Sequence, residues 1–180
     1  MKQRGFTLIE LVVVIVILGI LAVTAAPRFL NLQTDARIAG LEGLSASIKD
    51  AAKLSYSKAA IEGVEQQDRS YVESNLGILE LKYGYPEAKA ENGLGILDLV
   101  ELGGDDIDDN DWEVCYGSGN DDCYPHSGSN SSNVKIGYGI KHEDDGGEDT
   151  LKCFVRYIEP GGTGNDGNKS YKVELETSEC

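Results

Sequence analysis

Basic and metal-binding side chains are scarce in this sequence. Sixteen Lys and Arg stand against 31 Asp and Glu, a formal charge of −15. A chain so acidic is a poor partner for nucleic acid, whose phosphates need a basic surface. Two His and four Cys leave little material for a His-rich metal enzyme. Neither His126 nor His142 stands in a nucleophile motif such as Gly-x-Ser-x-Gly, so no enzyme is expected. No Cys-x-x-Cys pair suggests a zinc site, and no long internal repeat is apparent. Charged residues at 26% and hydrophobic ones at 41% do not describe a disordered chain. A length of 180 residues suits one domain with an appendage.

The charge that is present is unevenly placed. From Leu11 to Ala26 there is none, and of the 21 residues Phe6–Ala26 only Thr7, Glu10, Gly19 and Thr24 are not apolar. As a helix, 21 residues cover about 31 Å, the thickness of a bilayer's hydrocarbon core. Val, Ile and Leu nearly all round leave no polar face, so the helix must lie in lipid or in protein. Lys2 and Arg4 ahead of it would hold that end on the cytoplasmic side and put the body in an oxidising compartment. A cleaved secretory signal, a plain uncleaved anchor and a buried helix of a soluble protein are the competing readings. Glu10 argues for something more specific. A carboxylate inside a spanning segment costs on the order of 2–3 kcal/mol at mid-bilayer and less near an end. Its partner is either Arg4, six residues earlier, or a group on another chain.

Gly5-Phe6-Thr7-Leu8-Ile9-Glu10, with the short basic leader before it and the apolar run behind it, resembles the processing signature of the type IV pilins and their pseudopilin relatives. The likeness is close over roughly the first 50 residues. Ala22-Val23-Thr24-Ala25-Ala26-Pro27-Arg28-Phe29-Leu30-Asn31-Leu32, with Tyr83-Gly84-Tyr85-Pro86 later, looks most like the branch of that family that builds mannose-sensitive haemagglutinin pili. The resemblance implies a leader at 1–5 removed by a prepilin peptidase between Gly5 and Phe6, and N-methylation of the new terminus. It implies a membrane and filament-core segment at 6–30 and a globular domain at 31–180 outside the cytoplasm. Glu10 would pair with the Phe6 amine of a neighbouring subunit, so that two charges, each costly alone in an apolar core, neutralise each other and set the axial register. The expected partners are further copies of the chain, the peptidase, the pilus assembly machinery and the inner membrane. The expected product is a surface fibre for attachment and motility; a minor pilin or a type II secretion pseudopilin is the alternative. A membrane-anchored calcium- or glycan-binding module is the alternative from another class.

Beyond the apolar run, Ile38, Leu41, Leu44, Ile48, Ala51, Ala52 and Tyr56 recur at three- and four-residue steps, the amphipathic helix period. One helix is therefore predicted from about Phe6 to about Lys58, with its second half packed on the body. Pro27 removes a backbone hydrogen bond and predicts a kink, and Gly19 is a second weak point. The resemblance adds that this stretch loosens in assembled fibres. Residues 61–113 read as a connection with short helical pieces at Val72–Lys82 and Gly95–Leu102, and Tyr83–Pro86 as a turn. Strands are predicted at Trp112–Tyr116, Val134–Ile140, Lys152–Ile158 and Tyr171–Glu176. A long N-terminal helix packed on a four-stranded antiparallel sheet makes an α+β, pilin-like fold.

Cys115, Cys123, Cys153 and Cys180 permit three pairings. We expect Cys115–Cys123 to close a local hairpin and Cys153–Cys180 to tie down the C-terminus, the latter resembling the C-terminal disulfide loop of pilins. Asp105, Asp106, Asp108, Asp109 and Asp111 crowd five carboxylates into seven residues, and no Lys or Arg occurs from Ala90 to Val134. Carboxylate oxygens in a loop suit Ca²⁺, so Asp105, Asp106, Asp108 and Asp109 are a candidate calcium site. The segment lacks the Gly and distal Glu of an EF-hand, and solvated surface charge is the competing reading. No other cofactor is expected.

Overall fold

The computed structural model describes residues 7–100, 102, 112–117, 131–140, 152–162, 164–165 and 167–180. The chain divides into two compact units, Met1–Arg37 and Ile38–Cys180. One helix, α1 (Leu8–Glu62), supplies all the described structure of the first unit and opens the second. It runs four residues past the predicted end. The reason is a glycine stop: Gly63 takes φ +74, its N–H bonds Ala60 O at 3.3 Å, and Val64 N–H bonds Ala59 O at 3.0 Å. These two bonds make a Schellman cap, and Val64 packs beside Ala59 as such a cap requires.

In the second unit α1 contributes Leu41, Leu44, Ile48 and Ala52, all buried. They pack against a four-stranded antiparallel meander, β4 (Glu113–Gly117), β5 (Asn133–Gly137), β6 (Phe154–Ile158) and β7 (Lys172–Glu176), in that spatial order. Val114, Val134, Ile136, Val155 and Tyr157 complete this core from the sheet side. All four predicted strands are present, displaced by only a residue or two at their starts. The α+β architecture is therefore the one expected.

The region before the meander differs from expectation. Val72–Lys82 is not helical. It belongs to a second antiparallel sheet, β1 (Ser70–Glu73), β2 (Ile78–Lys82) and β3 (Tyr85–Pro86). Ser74 Oγ accepts from Leu76 and Gly77 N–H and donates to Gly77 O at 2.7 Å, while Gly77 takes φ +144, so the chain reverses there. Val72, Leu79 and Leu81 then point inward onto Ala59, a burial that a helix through the same residues cannot give. Gly95–Leu102 contracts to a single 3₁₀ turn, Leu97–Leu99.

Tyr83–Pro86 does form the predicted turn, with Tyr83 at φ +49 and Gly84 at φ +81. A Cβ on Gly84 would stand 2.9 Å from the Tyr56 ring. That close approach lets Tyr56 stack on Tyr85 at 4.9 Å, and Tyr85 meets Tyr171 at 5.0 Å. Tyr157, fully buried, donates to Pro86 O at 2.6 Å and so joins the two sheets. Burial pushes the Tyr157 phenol well up, which keeps it a neutral donor. Tyr157→Phe leaves the Pro86 carbonyl without its partner. We expect a loss of about 1–3 kcal/mol, read as a lowered melting temperature of the full chain in detergent.

Candidate functional site

The described part of the first unit starts at Thr7, and its first turn shows how this helix begins. Thr7 Oγ1 accepts from Glu10 N–H at 3.3 Å, and Thr7 N–H donates back to Glu10 Oε2 at 2.8 Å. The Thr7 hydroxyl also donates to Glu10 Oε2 at 2.7 Å. This is a capping box, two otherwise orphaned N–H groups satisfied reciprocally by side chains three residues apart. It places a carboxylate in the first turn, where the helix dipole favours a negative charge. Glu10 thus has a local partner inside its own chain. The spacing Thr-x-x-Glu ahead of an apolar run is the sequence signal of such a cap, a role separate from the place of Thr7 in the processing signature.

Leu8–Ala25 is long and apolar enough to cross a membrane, with a mean hydropathy of 3.0 and none of the window buried. Thirteen Leu, Val and Ile side chains lie along it, each between 41% and 80% exposed. Covering one such side chain is worth about 1.5–3 kcal/mol, so this surface demands lipid or other helices. Thr24 donates its hydroxyl to Leu21 O at 2.9 Å and needs no outside partner. A Cβ on Gly19 would meet nothing within 4 Å. α1 continues through Pro27 as helix.

Residues 1–26 match the family model of the prokaryotic N-terminal methylation motif. The chain thus carries a prokaryotic N-terminal methylation motif. It is 47% identical over 51 residues to the type IV narrow pilus major component PilA5 of Thermus thermophilus, an alignment covering 28% of this chain and 44% of that protein. The chain thus spans less than half the length of the curated relative it matches. No solved structure matches it.

The remaining predicted residues divide as follows. Gly5 and Phe6 lie outside the described residues, as do Cys123 and Asp105, Asp106, Asp108 and Asp109. Cys153 and Cys180 are joined by a disulfide. Cys115 is also disulfide-bonded. Among the described residues no group of three or more His, Cys, Asp or Glu is placed to hold a metal ion.

One cluster had no sequence signal. Asp68, Arg69, Lys82, Glu87, Ser131, Ser132 and Glu159 line a cavity of about 270 Å³. Arg69 Nε donates to Glu87 at 2.8 Å and its NH2 to Glu91 at 3.1 Å, while Lys82 reaches Glu159 at 3.3 Å. Glu159 also accepts from Ala88 N–H at 3.0 Å. Burial pushes the Glu87 carboxyl up, and the Arg69 hydrogen bond works against that shift. These residues are far apart in sequence and meet only because the two sheets do. Arg69 ties the 69–91 segment to itself through Glu87 and Glu91, while Lys82 and the Ala88 N–H tie that segment to Glu159, next to β6.

Proposed function

We propose that this chain is the structural subunit of a type IV pilus. It polymerises through its N-terminal hydrophobic helix into a surface fibre used for attachment and motility. The observation that carries this reading is the methylation motif at residues 1–26, which contains the apolar stretch Leu8–Ala25, long enough to cross a membrane. Before assembly, Phe6–Ala26 holds the precursor in the inner membrane with Lys2 and Arg4 on the cytoplasmic side. A prepilin peptidase removes residues 1–5 and N-methylates Phe6. The pilus assembly machinery then moves the subunit from lipid to the filament core. That transfer exchanges one apolar environment for another, so it needs little net hydrophobic energy. Register comes from polar pairing, in which Glu10 of one copy meets the Phe6 amine of the next.

Within the family, the Ala22–Leu32 and Tyr83–Pro86 segments favour the mannose-sensitive haemagglutinin branch. Calcium at Asp105, Asp106, Asp108 and Asp109 rests on their carboxylate density alone. The pilin reading assigns no catalytic role to any residue.

Fibres sheared from cells that produce the chain test the reading. This polypeptide is expected as their main component. Its presence only in traces points to a minor pilin, and its confinement to the periplasm to a secretion pseudopilin.

A further inference from the structure

Asn92 is the only asparagine of the sequence that is followed by glycine. Asparagine is a thermally labile residue, and most so before glycine, which puts no side chain between the amide carbon and the next backbone nitrogen. Asn92 is exposed, in the loop that follows β3. Neither its side chain nor the Gly93 N–H makes a hydrogen bond among the described residues. Two other asparagines serve as contrasts. Asn165 is buried, with Nδ2 donating to Glu159 O at 3.3 Å and to Ser170 O. Asn168 is exposed like Asn92, but Lys169 follows it.

The backbone on either side of the Asn92–Gly93 bond is held. Glu80, a buried carboxylate on β2, accepts Glu91 N–H at 2.7 Å and Asn92 N–H at 2.8 Å. Leu94 N–H donates to Ile78 O at 2.8 Å, and Leu94 O accepts Glu80 N–H at 3.0 Å. Gly93 lies between these two clamps, close against β2. A Cβ there would run into Ile78 O and stand 3.1 Å from Glu80 Cγ. The fit on β2 therefore calls for the residue that makes Asn92 labile.

We propose that Asn92–Gly93 is a site of spontaneous deamidation, and that its larger product, isoaspartate, releases the 91–94 loop from β2. The Gly93 nitrogen attacks Asn92 Cγ. The N–Cγ bond forms, the Cγ–Nδ2 bond breaks, and Nδ2 leaves as ammonia with the proton from Gly93. Water then opens the cyclic imide, and nothing is oxidised or reduced. Opening at Cγ gives an aspartate at position 92. Opening at the backbone carbonyl carbon gives isoaspartate, whose main chain runs through the side-chain methylene and is one carbon longer. Between two clamped ends the extra carbon forces one clamp open: Glu80 loses its donors or Leu94 leaves Ile78 O. Either product also adds a negative charge beside the Glu80 and Glu91 carboxylates, where like charges oppose each other. None of this depends on the chain being a fibre subunit.

The test is the full chain in detergent, kept for weeks at neutral pH and physiological temperature. A Glu-specific protease then releases a short peptide that contains Asn92 and ends at Glu101, and mass spectrometry reads the gain that marks acid in place of amide. Conversion at Asn92 is expected to run at least tenfold faster than at Asn168, with isoaspartate the larger of two separately eluting products. An amide retained at Asn92, or conversion no faster than at Asn168, overturns the site. Hydrogen exchange at Leu94 N–H reads the consequence. It is expected to be at least tenfold faster in the aged chain than in the fresh one, while Asn92→Ala exchanges alike fresh and aged. Unchanged exchange in a fully converted chain overturns the release of the loop. So does equal acceleration in aged Asn92→Ala, since another change would then be the cause.

Discussion

Glu10→Gln is expected to leave a cleaved, membrane-resident subunit that yields at least tenfold fewer fibres. The choice of Gln matters because Glu10 has two roles that Ala would remove together. The first is local, the reciprocal cap with Thr7, which Gln can keep because it suits the same position of a capping box. The second is the proposed pairing of its charge with the Phe6 amine of a neighbouring subunit. Removing one member of a buried pair leaves the other uncompensated, at about 3–5 kcal/mol. Since 1.4 kcal/mol is tenfold in an equilibrium constant, subunit addition would weaken by about two to three and a half orders of magnitude. Thr7→Ala separates the roles from the other side. It removes the hydroxyl of the cap, about 1 kcal/mol, and keeps the charge, so fibre yield should fall far less. Counting sheared fibres from the two variants at equal subunit levels checks this. Normal yield from Glu10→Gln with poor yield from Thr7→Ala would mean that Glu10 serves the cap alone.

Cys180→Ser is expected to lower the stability of the second unit by about 3–4 kcal/mol. The Cys153–Cys180 bridge closes a loop of 27 residues, and the chain-entropy model gives that magnitude for a loop of about this length. Its position amplifies the effect. Cys153 is fully buried in the core shared with α1, one residue before β6. Glu179, beside the other end, bonds back to Lys152: its carboxylate accepts Lys152 N–H at 3.0 Å, and its own N–H donates to Lys152 O at 3.2 Å. Freed, the C-terminal residues would loosen β7, which among the described strands pairs with β6 alone. At about 2–4 °C per kcal/mol for a unit of this size, the melting temperature of the full chain in detergent should drop by about 10 °C. An unchanged melting temperature would show that the β6–β7 ladder holds the terminus unaided.

The elements legible in the sequence are those whose periodicity and burial agree. α1 shows its three-and-four step because Leu41, Leu44, Ile48 and Ala52 all face one core. The meander strands were legible from their alternating and β-branched runs between Gly- and Ser-rich turns. The β1–β2 hairpin was not. Val72, Leu76 and Leu79 stand at helical spacing, and Glu80, Leu81 and Lys82 are good helix formers. Only the pairing across Ser74–Gly77 and the burial of Val72, Leu79 and Leu81 on Ala59 decide for strands. That is tertiary context overriding local propensity. The processing segment was legible because its signal is local and contiguous. The Arg69–Glu87 and Lys82–Glu159 pairs were not, since residues 18 and 77 positions apart meet only in the folded chain.

Mass spectrometry of the natural polypeptide's N-terminus tests the central claim most directly. A chain that starts at N-methylated Phe6 is the predicted result, because only cleavage there creates the cation that Glu10 is proposed to meet. A mature chain that starts at Met1, or downstream of Ala26, contradicts the account.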